Sequence, residues 1–265
     1  MEEKIFIEWD EGLVPTIINI PDNYNGSLVL MLHAHTAEKN HSGFYTDLAK
    51  TLATKGIISA RFDFPGCGEN TLPFRRNSIY NDSQCTKAVY DYITNNYEIK
   101  RDQVTILGFS MGSRVALYCL DDVKPSSLVL ISPAIEDGKE MLTWMIGEDY
   151  LDRYEEAKIN GTYTYKDNYG TLLSVSPSFF KDVILSNPKQ VIANYTENLA
   201  VIYPENDELI DPNIQKEFIK FATSAKSTSL TMINKADHAM GLATQDKTIY
   251  NELFDVTIKQ LLNIK

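Results

Sequence analysis

The apolar positions along the chain follow two alternating patterns. Short unbroken runs at residues 27–32 (SLVLML), 57–62 (IISARF), 104–107 (VTIL), 127–131 (SLVLI), 199–203 (LAVIY) and 229–233 (SLTMI) have the length of strands buried on both faces. Between them the apolar residues take helical spacing, over 43–55 with Gly56 as the stop, 79–95, 111–120, about 213–222 and 246–262. Ahead of these, residues 4–9 and 14–20, with Pro21-Asp22-Asn23 and Asn25-Gly26 as breakers, predict an antiparallel pair. Strands that alternate with helices predict an α/β fold, a mostly parallel central sheet with helices on both faces. The beat stops after Pro133 and resumes at Leu199, and the stretch between is polar and aromatic. No internal repeat or low-complexity tract is present. The predicted organisation is one core, residues 1–133 and 199–265, interrupted by an inserted lid at 134–198. A length of 265 residues suits such a domain.

Composition narrows the function classes. Hydrophobic residues make up 43% of the chain, enough for a large core. Acidic residues outnumber basic ones 36 to 25, for a net charge of −11, so nucleic acid and anionic membrane surfaces are not expected partners. The cysteines Cys67, Cys85 and Cys119 are odd in number and form no CxxC pair, which fits free thiols in a reducing compartment. The N-terminus lacks a basic segment followed by an apolar run, and no stretch approaches the roughly 18 apolar residues of a membrane span. A cytoplasmic protein is the expectation.

The chemistry gathers at the ends of the predicted strands. The run VTIL leads into Gly108-Phe109-Ser110-Met111-Gly112, and a helix follows. A serine between glycines on a strand-to-helix turn is a nucleophile elbow: the turn is too sharp to admit side chains beside it, and it lifts the hydroxyl above the sheet edge. It also puts the Met111 N–H at a helix N-terminus, where it can stabilise an oxyanion. Serine needs a base, and of the four histidines (His33, His35, His41, His238) only His238 follows it, on a loop after SLTMI. The base needs a carboxylate, and the turn after LAVIY offers Glu205, Asp207, Glu208 and Asp211. Glu205 leaves the strand before the chain has turned, and Asp211, before Pro212, reads as a helix cap. Asp207 and Glu208 remain, with Glu136 or Asp137 as outside candidates. Asp237 adjoins His238 and should point elsewhere.

With these residues in place the chain resembles the α/β-hydrolase superfamily, and within it the cinnamoyl and feruloyl esterases, over nearly its whole length. The resemblance rests on His33-Ala34-His35-Thr36, Asp63-Phe64-Pro65-Gly66-Cys67-Gly68-Glu69-Asn70, the acid turn at Asp207 and Ala236-Asp237-His238-Ala239-Met240. It implies Asp207 as the acid, whose short side chain also holds an imidazole with less rotamer freedom than a glutamate would. It further implies the His35 backbone N–H as a second oxyanion donor beside Met111. The chain departs from the pattern at Ala34 and Pro204, where glycine is usual, at His35, where phenylalanine is frequent, and at Asn70, where serine is usual.

His33-x-His35 invites a metal reading, but no carboxylate or third histidine has ligand spacing, and the ring of His33 is expected to brace the oxyanion loop. The insertion carries Trp144, Tyr150, Tyr154, Tyr163, Tyr165, Tyr169, Phe179 and Phe180, which either stack on an aromatic acyl group or pack the lid's own core. The expected function is a serine esterase working through an acyl-enzyme at Ser110, Asp207 and His238 on a small-molecule ester. It needs no cofactor or metal, and a homodimer is left open. A thioesterase, peptidase or acyltransferase on the same residues, or an inactive ligand-binding homologue, are the alternatives.

Overall fold

The computed structural model describes residues 1–167 and 170–263. An antiparallel pair, β1 (Glu2–Trp9) and β2 (Gly12–Asn19), opens the chain. There follow β3 (Leu28–Leu32), α1 (Phe44–Thr54), β4 (Ile58–Phe62), α2 (Ile79–Asn96), β5 (Val104–Phe109), α3 (Met111–Tyr118), α4 (Leu120–Val123) and β6 (Ser127–Ile131). The next segment holds α5 (Gly138–Met145), α6 (Tyr150–Asn160), β7 (Tyr163–Lys166), β8 (Leu172–Val175), α7 (Pro177–Leu185) and α8 (Pro188–Ala193). The chain closes with β9 (Asn198–Pro204), α9 (Pro212–Phe218), β10 (Ser227–Ile233) and α10 (Lys247–Leu262).

Eight strands form one sheet in the order β1-β2-β4-β3-β5-β6-β9-β10. From β4 to β10 the neighbours are parallel, as the unbroken apolar runs predict. Alternate residues of each strand serve opposite faces. Leu28, Leu30 and Leu32 of β3 join Val89 and Ile93 of α2 and Val115 of α3 on one side, and Val29 and Met31 join Leu48 and Leu52 of α1 and Leu253 of α10 on the other. The strand order reverses direction at β3, which has β4 on one side and β5 on the other. In an open sheet of this kind the crevice at such a reversal, beyond the strand C-termini, is where ligands bind.

The segment between β6 and β9 leaves and rejoins the sheet at neighbouring strands, with Ile131 paired to Ile202. Its four helices and its β7–β8 hairpin are a finding that the sequence pattern did not supply. The helices are short and set by local devices: a capping box at Asp137 and Glu140 starts α5, and Ser176-Pro177 and Asn187-Pro188 start α7 and α8. They pack around Met141, Leu142, Tyr150, Phe179, Phe180 and Val183, joined from the main sheet's side by Ile79 and Met111. Arg114 of α3, fully buried, fastens this segment down by donating to the carbonyls of Ala134 and Glu136 and to the Ser186 hydroxyl. Such a network compensates a buried guanidinium through the backbone rather than through a close carboxylate, since the Glu136 carboxylate stands 3.9 Å away. Among the described residues no helix is long and apolar enough to cross a membrane.

Candidate active site

The crevice beyond β3 and β5 is lined by His35, Ser110, Met111 and His238 among the residues singled out above. At the end of β5 the chain turns through Ser110 with φ 50° and ψ −114°, a conformation that L-residues rarely adopt. Neighbouring backbone holds it: the Ser110 N–H donates to the Ile131 carbonyl at 2.8 Å, and the Ser110 carbonyl accepts from Ser113. The flanking glycines are required by close approach. A Cβ on Gly108 would lie 2.6 Å from the Gly112 carbonyl oxygen, and one on Gly112 would lie 2.2 Å from that of Leu32.

Ser110 Oγ is 2.8 Å from His238 Nε2. On the other side of the ring, Nδ1 lies 2.9 and 3.0 Å from the two oxygens of Asp207. Asp207 is anchored in turn by the N–H groups of Leu209 and Ile210, both at 2.9 Å, and by the Gln215 amide at 2.6 Å. Burial pushes its carboxyl towards the neutral form, but the His238 contact and the two N–H donors outweigh burial and hold it below the usual carboxylate range. Asp207 therefore stays charged, which fixes the proton on His238 Nδ1 and leaves Nε2 free to accept from the serine. A serine, imidazole and carboxylate in this order can generate a nucleophile at neutral pH.

The other acids of the turn are committed elsewhere. Glu208 accepts the backbone N–H of His238 at 2.9 Å, Glu205 accepts that of Lys235 at 2.8 Å, and Asp211 caps α9 through the Asn213 N–H. Asp237 accepts the Gly241 N–H. Glu136 accepts from the Trp144 indole at 2.9 Å, and Asp137 caps α5. The Ser132 hydroxyl donates to the His238 carbonyl, so the loop of the base is tied at both backbone ends.

The two residues expected to supply oxyanion donors, Met111 and His35, both line the crevice. Met111 begins α3, and His35 follows β3 in a tight turn closed by the Ala37 N–H on the Ala34 carbonyl. Among the described residues neither the Met111 nor the His35 N–H has a protein acceptor. The buried His33 ring accepts the Phe64 N–H at Nε2 (3.1 Å), so its proton is on Nδ1, which donates to the Ala34 carbonyl at 2.8 Å. Burial lowers its pKa to about 4, so the ring is a neutral brace between the loops after β3 and β4. Among the described residues no group of three or more His, Cys, Asp or Glu could hold a metal ion.

Between these walls and the inserted segment is a cavity of about 280 Å³. Ala34, Phe109, Met111, Met141, Met145 and Leu242 make it largely apolar, and Trp144 and Tyr165 reach it from the insertion. The other inserted aromatics have a different place. Tyr150, Phe179 and Phe180 pack the segment's own core, with Tyr154 and Tyr163 against Phe180, while Tyr169 lies outside the described residues.

The sequence pattern of the serine aminopeptidase S33 family of α/β hydrolases matches residues 27–166, just over half of the 265. The chain belongs to this family. Its fold is the α/β-hydrolase fold, and a putative hydrolase from Agrobacterium vitis S4 shares it with a TM-score of 0.76 at 15% identity, over 98% of each chain. Est1E from Butyrivibrio proteoclasticus superposes with a TM-score of 0.70 at 15% identity, over 95% of this chain and 98% of its own, and has also been solved with ferulic acid bound. An esterase from Pyrococcus furiosus has a TM-score of 0.69 at 18% identity, over 98% of this chain and 91% of its own. No curated protein matches the sequence.

Three roles at this hydrolase's site are not legible in the sequence. Gln215 carries no motif, and it reaches Asp207 because α9 folds back beneath the turn. Glu208, on its sequence position a candidate orienter of the imidazole, instead accepts the backbone N–H of His238. Tyr165 is one of several aromatic residues in the insertion, and nothing in its surroundings in sequence marks it as the one that meets His35.

Proposed function

We propose that this hydrolase is a serine esterase that cleaves small acyl esters, hydroxycinnamates among them, through an acyl-enzyme. The observation that carries the reading is the continuous chain of hydrogen bonds from Ser110 through His238 to Asp207, opening onto an apolar cavity. Ser110 Oγ attacks the acyl carbon while His238 Nε2 takes its proton, and the oxyanion is held by the N–H groups of His35 and Met111. His238 then gives the proton to the departing alcohol. Water repeats the sequence on the acyl-enzyme and releases the carboxylic acid. Asp207 stays ionised throughout, holding the tautomer and stabilising the imidazolium. The segment 134–198 acts as the lid, and Trp144 offers an indole face to an aromatic acyl group. The likeness to Est1E, which binds ferulic acid, supports that choice of substrate.

Peptide cleavage from an amino terminus is the second reading, favoured by the family's description. An aminopeptidase must hold an α-ammonium, and Asp167 is the carboxylate on the cavity wall. Its Oδ1 already accepts the Thr171 N–H at 2.7 Å. The deciding experiment sets p-nitrophenyl butyrate and methyl ferulate beside an aminoacyl p-nitroanilide, with fluorophosphonate labelling of Ser110. Faster turnover of the anilide than of both esters would overturn the esterase reading.

A further inference from the structure

We propose that Tyr165 is a positioning residue: from the insertion it holds the oxyanion loop in its working geometry through a hydrogen bond with the side chain of His35. The proposal rests on the reading above, in which the His35 N–H receives the oxyanion.

His35 Nε2 is 2.9 Å from the Tyr165 hydroxyl oxygen. The other ring nitrogen, Nδ1, is buried and has no partner among the described residues. A proton there would leave a buried donor unpaired, a costlier arrangement than an unused lone pair on a neutral ring. Burial lowers the His35 pKa to about 4, so the ring carries one proton at neutral pH, and that proton belongs on Nε2. His35 therefore donates to Tyr165, whose phenol burial keeps un-ionised.

Besides this bond the ring is held by contacts with Phe74, edge-on at 5.3 Å, and Phe179, tilted at 6.1 Å. Ring contacts of that kind fill space but leave the imidazole free to turn. The same residue's backbone N–H is the donor aimed at the reacting carbonyl, two bonds from the side chain's base. Thr36, next in the turn, is held at φ 60°, so the loop is strained and needs fastening. The His33 ring fastens it to the Phe64 N–H on the sheet side, and Tyr165 fastens it to β7 on the insertion side. The inserted segment thus does more than cover the cavity, because one oxyanion donor is placed only when the β7–β8 hairpin is docked. Where phenylalanine stands at position 35, as the sequence resemblance makes frequent, this tie cannot exist.

Tyr165→Phe keeps the ring and removes only the acceptor. The test measures kcat and KM for p-nitrophenyl acetate, an ester too small to rely on the insertion for binding, together with the fluorophosphonate reaction rate of Ser110. The variants are Tyr165→Phe, His35→Phe and the double mutant. Loss of an oxyanion donor costs about 10²–10³-fold in kcat. A donor still present but less often in place should cost about tenfold, with KM within twofold and the fluorophosphonate rate falling in parallel. The double mutant should be no worse than the poorer single mutant, since both remove one bond. An unchanged kcat in Tyr165→Phe, a rise confined to KM, or multiplicative losses in the double mutant would overturn the proposal. Amide hydrogen exchange over residues 33–37 supplies a readout independent of turnover, and it should quicken in Tyr165→Phe at a temperature where the rest of the chain keeps its protection. Unchanged exchange there also overturns the proposal. A wild-type protein inert to every ester and to the fluorophosphonate would sink the esterase reading alone, and the exchange result would still decide the tie.

Discussion

Replacing Gly112 by alanine would place a Cβ 2.2 Å from the Leu32 carbonyl oxygen and 2.7 Å from that of His33. Ordinary van der Waals contact begins near 3.4 Å, so α3 and the end of β3 must part by about 1 Å. Both of these oxygens are backbone atoms, so no side chain can swing aside to relieve the clash. Met111, one residue before Gly112, and His35, two after His33, carry the two proposed oxyanion donors, and the movement widens the gap between them. A misplacement of about 1 Å costs about 10²-fold in rate. Stability should change far less. Alanine favours a helix over glycine by about 1 kcal/mol, and overpacking costs about 1–3 kcal/mol. At about 2–4 °C per kcal/mol the melting temperature should fall by no more than several degrees. The assay is kcat for p-nitrophenyl butyrate beside a circular dichroism melt. A well-folded Gly112→Ala enzyme within threefold of wild-type kcat would refute the claim that this close approach sets the donor geometry.

Four further outcomes follow from the same site. Ser110→Ala should abolish fluorophosphonate labelling and essentially all ester hydrolysis while the melt is preserved, and turnover near wild type would remove Ser110 from the mechanism. Asp207→Asn should lower kcat by up to about 10⁴-fold through the wrong histidine tautomer, whereas Glu208→Gln, which keeps an oxygen for the His238 N–H, should cost less than about tenfold; the reverse order would overturn the assignment. Trp144→Ala should cut kcat/KM for methyl ferulate more than for p-nitrophenyl acetate, and equal losses would deny the indole a part in acyl recognition. The buried ring of His41 has its pKa lowered to about 3 by burial, against about 6.5 when unfolded, so the unfolded chain binds the extra proton as pH falls below about 6.5. Its contribution is full above that pH and about 2 kcal/mol smaller at pH 5, so His41→Asn should lose about 2 kcal/mol less than wild type in urea melts between pH 7 and pH 5, and equal losses would show the ring to be protonated in the fold.

The sequence determined what is written locally. Six apolar runs announced six parallel strands; five of them are buried on both faces, where apolar side chains meet helices on either side, whereas β10 is the edge strand and leaves Leu230 and Met232 partly exposed. The turn at Ser110 was legible for the same reason: glycines at 108 and 112 are needed wherever backbone passes backbone at a helix start, and the sequence carries that requirement as a motif. The helix stops and caps at Gly56 and Asp211 were equally local.

The inserted segment shows where this legibility ends. Its helices run 6 to 11 residues, too short to hold in isolation, and they exist because Phe179, Phe180 and Tyr150 bury one another and because Arg114 reaches up from α3. No periodicity over so few turns reveals them. Tertiary structure alone decided the partners at the site. Asp207 and Glu208 are adjacent and chemically alike, yet one meets the His238 ring and the other its backbone N–H, because successive side chains on a turn leave it in different directions. The sequence likewise contains Tyr165 and His35 130 residues apart, and only the docking of a hairpin over the strand ends makes them a pair. A residue type and a local bend are properties of a few neighbours along the chain. The geometry between groups carried by different elements depends on how the whole sheet twists, closes and is covered, and that is settled only when the core is packed.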